Sequence, residues 1–226
     1  MIDYDIKDIF GKCDAYFSEI KKMPKELTIE IEFCSSTDEL YKRRCILTRN
    51  PIAKANLEEN AEKYKNANGC YIIPPEDYHF VMLLKSSNVF FEAYDYLHEL
   101  THICNYMDYL NSTKCDDYFK PFQNHAFYLW DEYNARYIST CALIEYLESC
   151  CEREDISETI TKICKCLRNC CEAENIKSYD GSQLLGAVEA AHKYDYIKNI
   201  EEYLCQDEIA ILEEYSSIDD ASFFTE

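Results

Sequence analysis

The stretch His98-Glu99-Leu100-Thr101-His102 constrains this chain more than any other. On a helix, residues four apart lie one above the other on one face, so both imidazoles can point at a single ion. Neutral imidazole is a good ligand for Zn²⁺ at roughly 2.0–2.1 Å, and two of them leave positions for a third protein ligand and a water. Glu99 follows the first histidine and falls beside such a water, where a carboxylate can accept its proton. The plain alternative is a helix whose two histidines only satisfy hydrogen bonds.

The surroundings favour the metal. Upstream, Tyr78 to Leu84 is a short β-rich apolar run, and Ser86-Ser87-Asn88 offers cap chemistry for the helix that carries the motif. Two acids compete to be the third ligand. Glu132 lies in a second helical stretch from about Gln123 to Ser149, sharing a face with Tyr128 and Arg136 one turn either side and His125 two turns back. Ala135 beside it is small enough to let another helix approach. Asp108 is the rival, because His98-x-x-x-His102-x-x-Asn105-x-x-Asp108 copies the spacing of an extended motif in which a glycine turns the chain towards the metal. Asn105 tolerates that turn better than most residues. Against it, Tyr106, Met107, Tyr109 and Leu110 continue an apolar helical pattern.

The pairing of His98-Glu99-Leu100-Thr101-His102 with Glu132-Tyr-Asn-Ala135-Arg on consecutive helices resembles the small gluzincin peptidases, particularly the ImmA/IrrE-type group. The likeness covers roughly Gly69 to Ser149, without an obvious fused DNA-binding domain. It implies a zinc metallopeptidase in which His98, His102 and Glu132 hold the ion and Glu99 is the base. It also implies that the strand before the motif helix, Tyr78 to Leu84, lies at the sheet edge and takes a protein or peptide substrate as an added strand. His79 could face that cleft, although a surface position suits it better. An oxyanion donor is needed besides zinc, and Tyr128, Tyr133, His125 or Arg136 could supply it. Arg136 could equally clamp Glu132.

Charge narrows the partners. Forty-three acids against 23 bases give a net charge of −20, with Lys42-Arg43-Arg44 the only basic cluster of note. Nucleic-acid backbones demand the opposite sign, so DNA or RNA binding is not expected. No span of eighteen or more apolar residues is present, so no membrane helix is expected. Fourteen cysteines would mean a disulfide framework in a secreted chain. The N-terminus, however, lacks a basic segment followed by an apolar one, which points to a cytoplasmic protein with reduced thiols. Cys150, Cys151, Cys164, Cys166, Cys170 and Cys171 could form a second metal site, but with no CxxC pair they read better as small packed hydrophobes.

The remaining pattern is α+β, mainly helical with a small sheet of about three strands. Ile2 to Lys22 reads as an amphipathic helix, Leu27 to Phe33 as an alternating half-buried strand, and two helices follow to about Thr48 and from Pro51 to Lys65. Cys70–Ile73 and Tyr78–Lys85 read as strands, Lys114–Phe122 as a connector, and Ile156–Glu174 and Ser182–Leu212 as helices separated by Gly181. The whole reads as one domain over residues 1–226. Residues 1–149 form a zincin-like core, 150–215 a helical C-terminal extension and 216–226 an acidic tail. Two other functions compete with the peptidase: a zinc-peptidase fold used as a regulatory protein-binding module, and a helical interaction protein without metal.

Overall fold

The structure is a computed structural model, and it describes residues 6–21, 28–65, 67–72, 78–85, 89–114, 120–171, 177–218 and 221–224. Helix α1 (Ile6–Ile20) buries Phe10, Cys13 and Phe17 along one stripe, as its three-and-four spacing requires. Strand β1 (Thr28–Cys34) leads into α2 (Thr37–Leu47), where the Ser36 hydroxyl accepts from the Glu39 amide at 3.2 Å and Glu39 reaches back to the Ser35 amide at 2.7 Å. Those bonds satisfy donors that the first turn leaves orphaned. The reading of one helix from Pro51 to Lys65 is corrected: α3 (Pro51–Glu59) and α4 (Ala61–Tyr64) are separated at Asn60.

Strands β2 (Gly69–Ile72) and β3 (Tyr78–Leu84) complete a three-stranded sheet in the order β1-β3-β2. β1 runs parallel to β3, and β2 antiparallel to it. Tyr78 to Leu84 is therefore the central strand, not the edge that the resemblance implied. The reason is visible in its own residues: Val81, Met82 and Leu83 are buried in succession, so both faces are covered. Val81 and Leu83 join the main core, whereas Met82 packs on the other face with Cys34, Leu40, Cys70 and Ile72 beneath α2. The edge beside the motif helix is β2.

Helix α5 (Val89–Thr113) carries the histidine motif and ends where Lys114 takes a left-handed φ of 49°. The short α6 (Lys120–Gln123) precedes α7 (His125–Glu148), which starts where the Asn124 side chain accepts from the Phe127 amide at 3.0 Å. Helix α8 (Arg153–Cys170) follows. Beyond it, the expected single helix from Ser182 is two: α9 (Tyr179–Lys193) and α10 (Gln206–Ser216), with a 3₁₀ turn at Ile200–Glu202 between them. Asp195, at φ 63°, turns the chain after α9. Gly181, read as a separator, lies inside the first turn of α9, where its amide donates to the Ser178 hydroxyl at 3.1 Å. A second 3₁₀ turn spans Ala221–Phe224.

Helices α7 and α9 lie side by side and run the same way, since Tyr128 meets Tyr179, Glu132 meets Gln183 and Tyr137 meets Lys193. Their closest approach is at Gly186, where a Cβ would come within 2.2 Å of the Tyr133 carbonyl oxygen. One main core runs from Phe10 in α1 to Ala221 near the end of the chain. No helix among the described residues is long and apolar enough to cross a membrane.

Candidate metal centre

Helix α5 delivers His98 and His102 from one face, and α7 delivers Glu132 opposite them. All three are buried. The two Nε2 atoms are 3.0 Å apart, and Glu132 Oε2 lies 3.5 Å from that of His98 and 3.6 Å from that of His102. Two ligands at about 2.1 Å from a tetrahedral zinc ion stand about 3.4 Å apart. The three donor atoms thus already form a triangle of the size one small cation requires.

Protons show the same fit. Burial, Arg136 and His102 together hold His98 well below the ordinary imidazole range, so it is neutral. For His102, burial opposes the charge but is outweighed by Asp131 and Glu132, which lift the ring to about 10. A proton on His102 Nε2 donated to His98 Nε2 accounts for the 3.0 Å contact between two rings that would otherwise repel. It occupies the position of a shared cation. His98 Nδ1 makes no well-aligned hydrogen bond among the described residues, although the Ala135 backbone lies near enough to the ring to favour a proton on it. Neutral His98 has its other proton there, leaving Nε2 free as a ligand.

Outer partners orient two ligands. His102 Nδ1 is 2.7 Å from Asp131 Oδ2, and Asn105 Nδ2 donates to Asp131 Oδ1 at 2.7 Å. Lys21, at the end of α1, donates to Asn105 Oδ1 at 2.6 Å. Gln183 of α9 donates to Glu132 Oε2 at 3.0 Å and accepts from Arg136 at 2.8 Å. Fixing tautomer and carboxylate direction in this way is what outer groups do around a metal. The Tyr71 ring, from β2, stacks on His102 with centroids 5.1 Å apart.

Asp108 is not part of this group. Helix α5 runs through Asn105 and Asp108 without a turn, and Asp108 pairs with Lys21 at 3.3 Å with two fifths of its side chain exposed. The extended-motif reading fails because Asn105 keeps helical backbone and spends its side chain on Asp131 and Lys21. Arg136 does not clamp Glu132 directly. Its guanidinium lies over the Tyr94 ring, 4.0 Å from Asp95, and reaches Glu132 only through Gln183.

Glu99 is buried on the same helix, one position past His98. Burial, offset partly by His102, lifts its carboxyl to about 7. Gly69 of β2 makes room for it, since a Cβ there would lie 3.1 Å from Glu99 Oε1. Of the proposed donors, Tyr128 is half-buried with its ring against Tyr179, Tyr133 gives its hydroxyl to Glu189, and His125 is exposed and stacks on Tyr128. The side chain of His79 and the caps Ser86 to Asn88 lie outside the described residues. Among the described cysteines all are free thiols, and the α8 cluster brings no third ligand to a common centre.

Sequence reasoning missed Asp131, Gln183 and Tyr71, and read Asn105 as a turn residue rather than as the partner of Asp131. An acid directly before the ligand acid on the same helix was a usable signal for Asp131. Nothing local marks Gln183, whose contact with Glu132 spans 51 residues. Compared with protein-family models, curated proteins and solved structures, this chain matches none of them, so what the site shows is a buried His98-His102-Glu132 group that could hold a metal ion.

Proposed function

We propose that the protein is a zinc-dependent metallopeptidase that hydrolyses peptide bonds of a protein or peptide substrate. The observation that carries this is the triangle of donor atoms, 3.0–3.6 Å on a side, with the buried Glu99 carboxyl on the residue directly after His98. Zinc, held by His98, His102 and Glu132, would supply Lewis acidity that acidifies a water and polarises a carbonyl. Glu99 takes the proton of the attacking water and passes it to the leaving amine, a task suited to a carboxyl poised near neutrality. Asp131 holds the His102 ring in the tautomer that presents Nε2. Substrate enters as an added strand on the β2 edge, which is the edge facing Glu99 and His102.

The test is Glu99→Gln. Zinc-loaded wild type should cleave labelled casein, whereas the variant should keep stoichiometric zinc and lose about 10²–10⁴-fold in rate. A second reading, a metal-bearing module that binds a protein without turnover, is favoured by the burial of all four groups. It predicts identical behaviour of both proteins.

A further inference from the structure

One contact of the metal centre comes from near the start of the chain. Lys21, the residue after α1, reaches across 84 positions to α5, where its Nζ lies 2.6 Å from Asn105 Oδ1. Asn105 has no exposed surface, and the Lys21 side chain keeps only 14% of its own. Holding a long cationic side chain there costs rotamer freedom and hydration that a lysine in solvent retains. From Asn105 the line continues inward: its Nδ2 donates to Asp131 Oδ1 at 2.7 Å, and Asp131 Oδ2 is 2.7 Å from His102 Nδ1.

The sense of every bond in this line is dictated from its outer end. An ammonium only donates, so the Asn105 oxygen must face Lys21 and the amide NH₂ must face Asp131. A carboxylate only accepts, so with one Asp131 oxygen taken by Asn105 the other accepts from His102 Nδ1–H. The Nε2 of that ring is then the atom turned towards Glu132, 3.6 Å away. Without Lys21 the Asn105 amide is no longer held one way round. Turned over, it would set its oxygen against Asp131, and the carboxylate behind the ligand would lose a donor.

We infer that Lys21 is a positioning residue for His102, acting through Asn105 and Asp131, so that docking of α1 and binding of the ion are coupled. The inference rests on the metal centre of the proposed function and not on peptide turnover. Two properties of Lys21 act with opposite signs. Its charge repels a dication, so losing it would tighten zinc, whereas its bond fixes the ligand, so losing it loosens zinc. The ammonium is partly exposed and stands three hydrogen bonds from the ring, which screens the repulsion, and the loosening wins. By linkage, the affinity that α1 lends the ion is returned by the ion to α1.

The experiment compares full-length wild type with Lys21→Met, which loses the donors, Lys21→Arg, which keeps them, Asn105→Ala, and the double variant of Lys21→Met with Asn105→Ala. Zinc affinity is read by chelator competition, ligand geometry by the visible spectrum of the Co²⁺-loaded protein, and α1 by amide hydrogen exchange with and without zinc. Lys21→Met should bind zinc on the order of tenfold more weakly, the low end for loss of an outer partner, and shift the Co²⁺ bands. Lys21→Arg should restore both. In the Asn105→Ala background, Lys21→Met should weaken zinc no further. Zinc should slow exchange in α1 about tenfold more in wild type than in Lys21→Met. Unchanged or tighter zinc binding by Lys21→Met would overturn the inference, whatever its metal-free Tm. So would a loss of equal size in Lys21→Arg or in the Asn105→Ala background. If Asn105→Ala does not fold, the Co²⁺ bands and α1 exchange of the two Lys21 variants decide alone. A wild type that shows this coupling yet leaves labelled casein uncut would remove the peptidase reading and leave the inference standing, whereas one that binds no zinc would remove both.

Discussion

At the scale of single residues, Asp131 and Gln183 fix the directions of His102 and Glu132. Replacing Asp131 by Asn keeps the shape but removes the charge behind His102, so zinc affinity should fall about 10–100-fold, read by chelator competition. Asp108→Asn, which alters an exposed pair with Lys21 and no ligand, should leave affinity unchanged. The pH dependence follows from the same ring. In the metal-free protein His102 is lifted from 6.5 to about 10, so its contribution to stability is complete below 6.5 and is lost as pH rises through 10. Zinc must displace that proton, so between pH 6.5 and 9 the affinity should climb by up to about tenfold per pH unit, with proton uptake by the buffer visible in calorimetry. A flat profile would mean that His102 is not the protonated partner. The ligands were legible because i, i+4 histidines and an acid on an amphipathic helix carry their geometry in their spacing. The start of α9, which carries Gln183, was not, because Asp180-Gly181-Ser182 looks like a turn. Starting the helix at Ser182 severs Tyr179 from Gln183, whereas the true cap is Ser178.

At the scale of elements, the α7–α9 contact sets the position of Gln183 and Tyr179. It depends on Gly186, where any Cβ would meet the Tyr133 carbonyl at 2.2 Å and the Tyr137 amide at 2.8 Å, both rigid backbone. Gly186→Ala should therefore destabilise the fold by about 3 kcal/mol, a fall in Tm of roughly 6–12 °C. Gly11→Ala, whose Cβ would meet nothing within 4 Å, should lose none of it by overlap. Helices α5 and α7 could be read from the chain because their apolar repeats are long, and α7 also begins at a side-chain cap, Asn124. The sheet order could not. A run such as Val81-Met82-Leu83 announces a strand buried on both sides, but its neighbours are chosen by register with β1 and β2, more than forty and about ten residues away. The assumption that a strand before a metal helix must be an edge overrode that composition. The break between α9 and α10 left no glycine or proline to mark it, because Asp195 supplies the left-handed turn.

At the scale of the whole molecule, the metal group ties distant parts of the chain into one cooperative unit. Its ligands sit on α5 and α7, while Lys21 of α1 and Gln183 of α9 reach it through Asn105, Asp131 and Glu132. The free cysteines are reporters of that unit. Burial pushes Cys13, Cys70, Cys104, Cys141 and Cys164 up to about 12, so they are inert while the fold holds. Cys150, Cys166, Cys170 and Cys205 are exposed. A disulfide reagent at pH 7.5 should consume the exposed thiols quickly and the buried ones only as fast as the protein opens. An ion that binds the folded state at 100 times its Kd adds about 2.7 kcal/mol, which slows opening-limited labelling roughly a hundredfold. Zinc loading should therefore slow the buried class by about that factor in wild type and leave it unchanged in a His98→Ala, His102→Ala protein. Slowing in both proteins would trace the protection to zinc on surface thiols rather than to the centre. Slowing of only Cys104, which shares α5 with the ligands, would show that the metal steadies one helix and not the molecule.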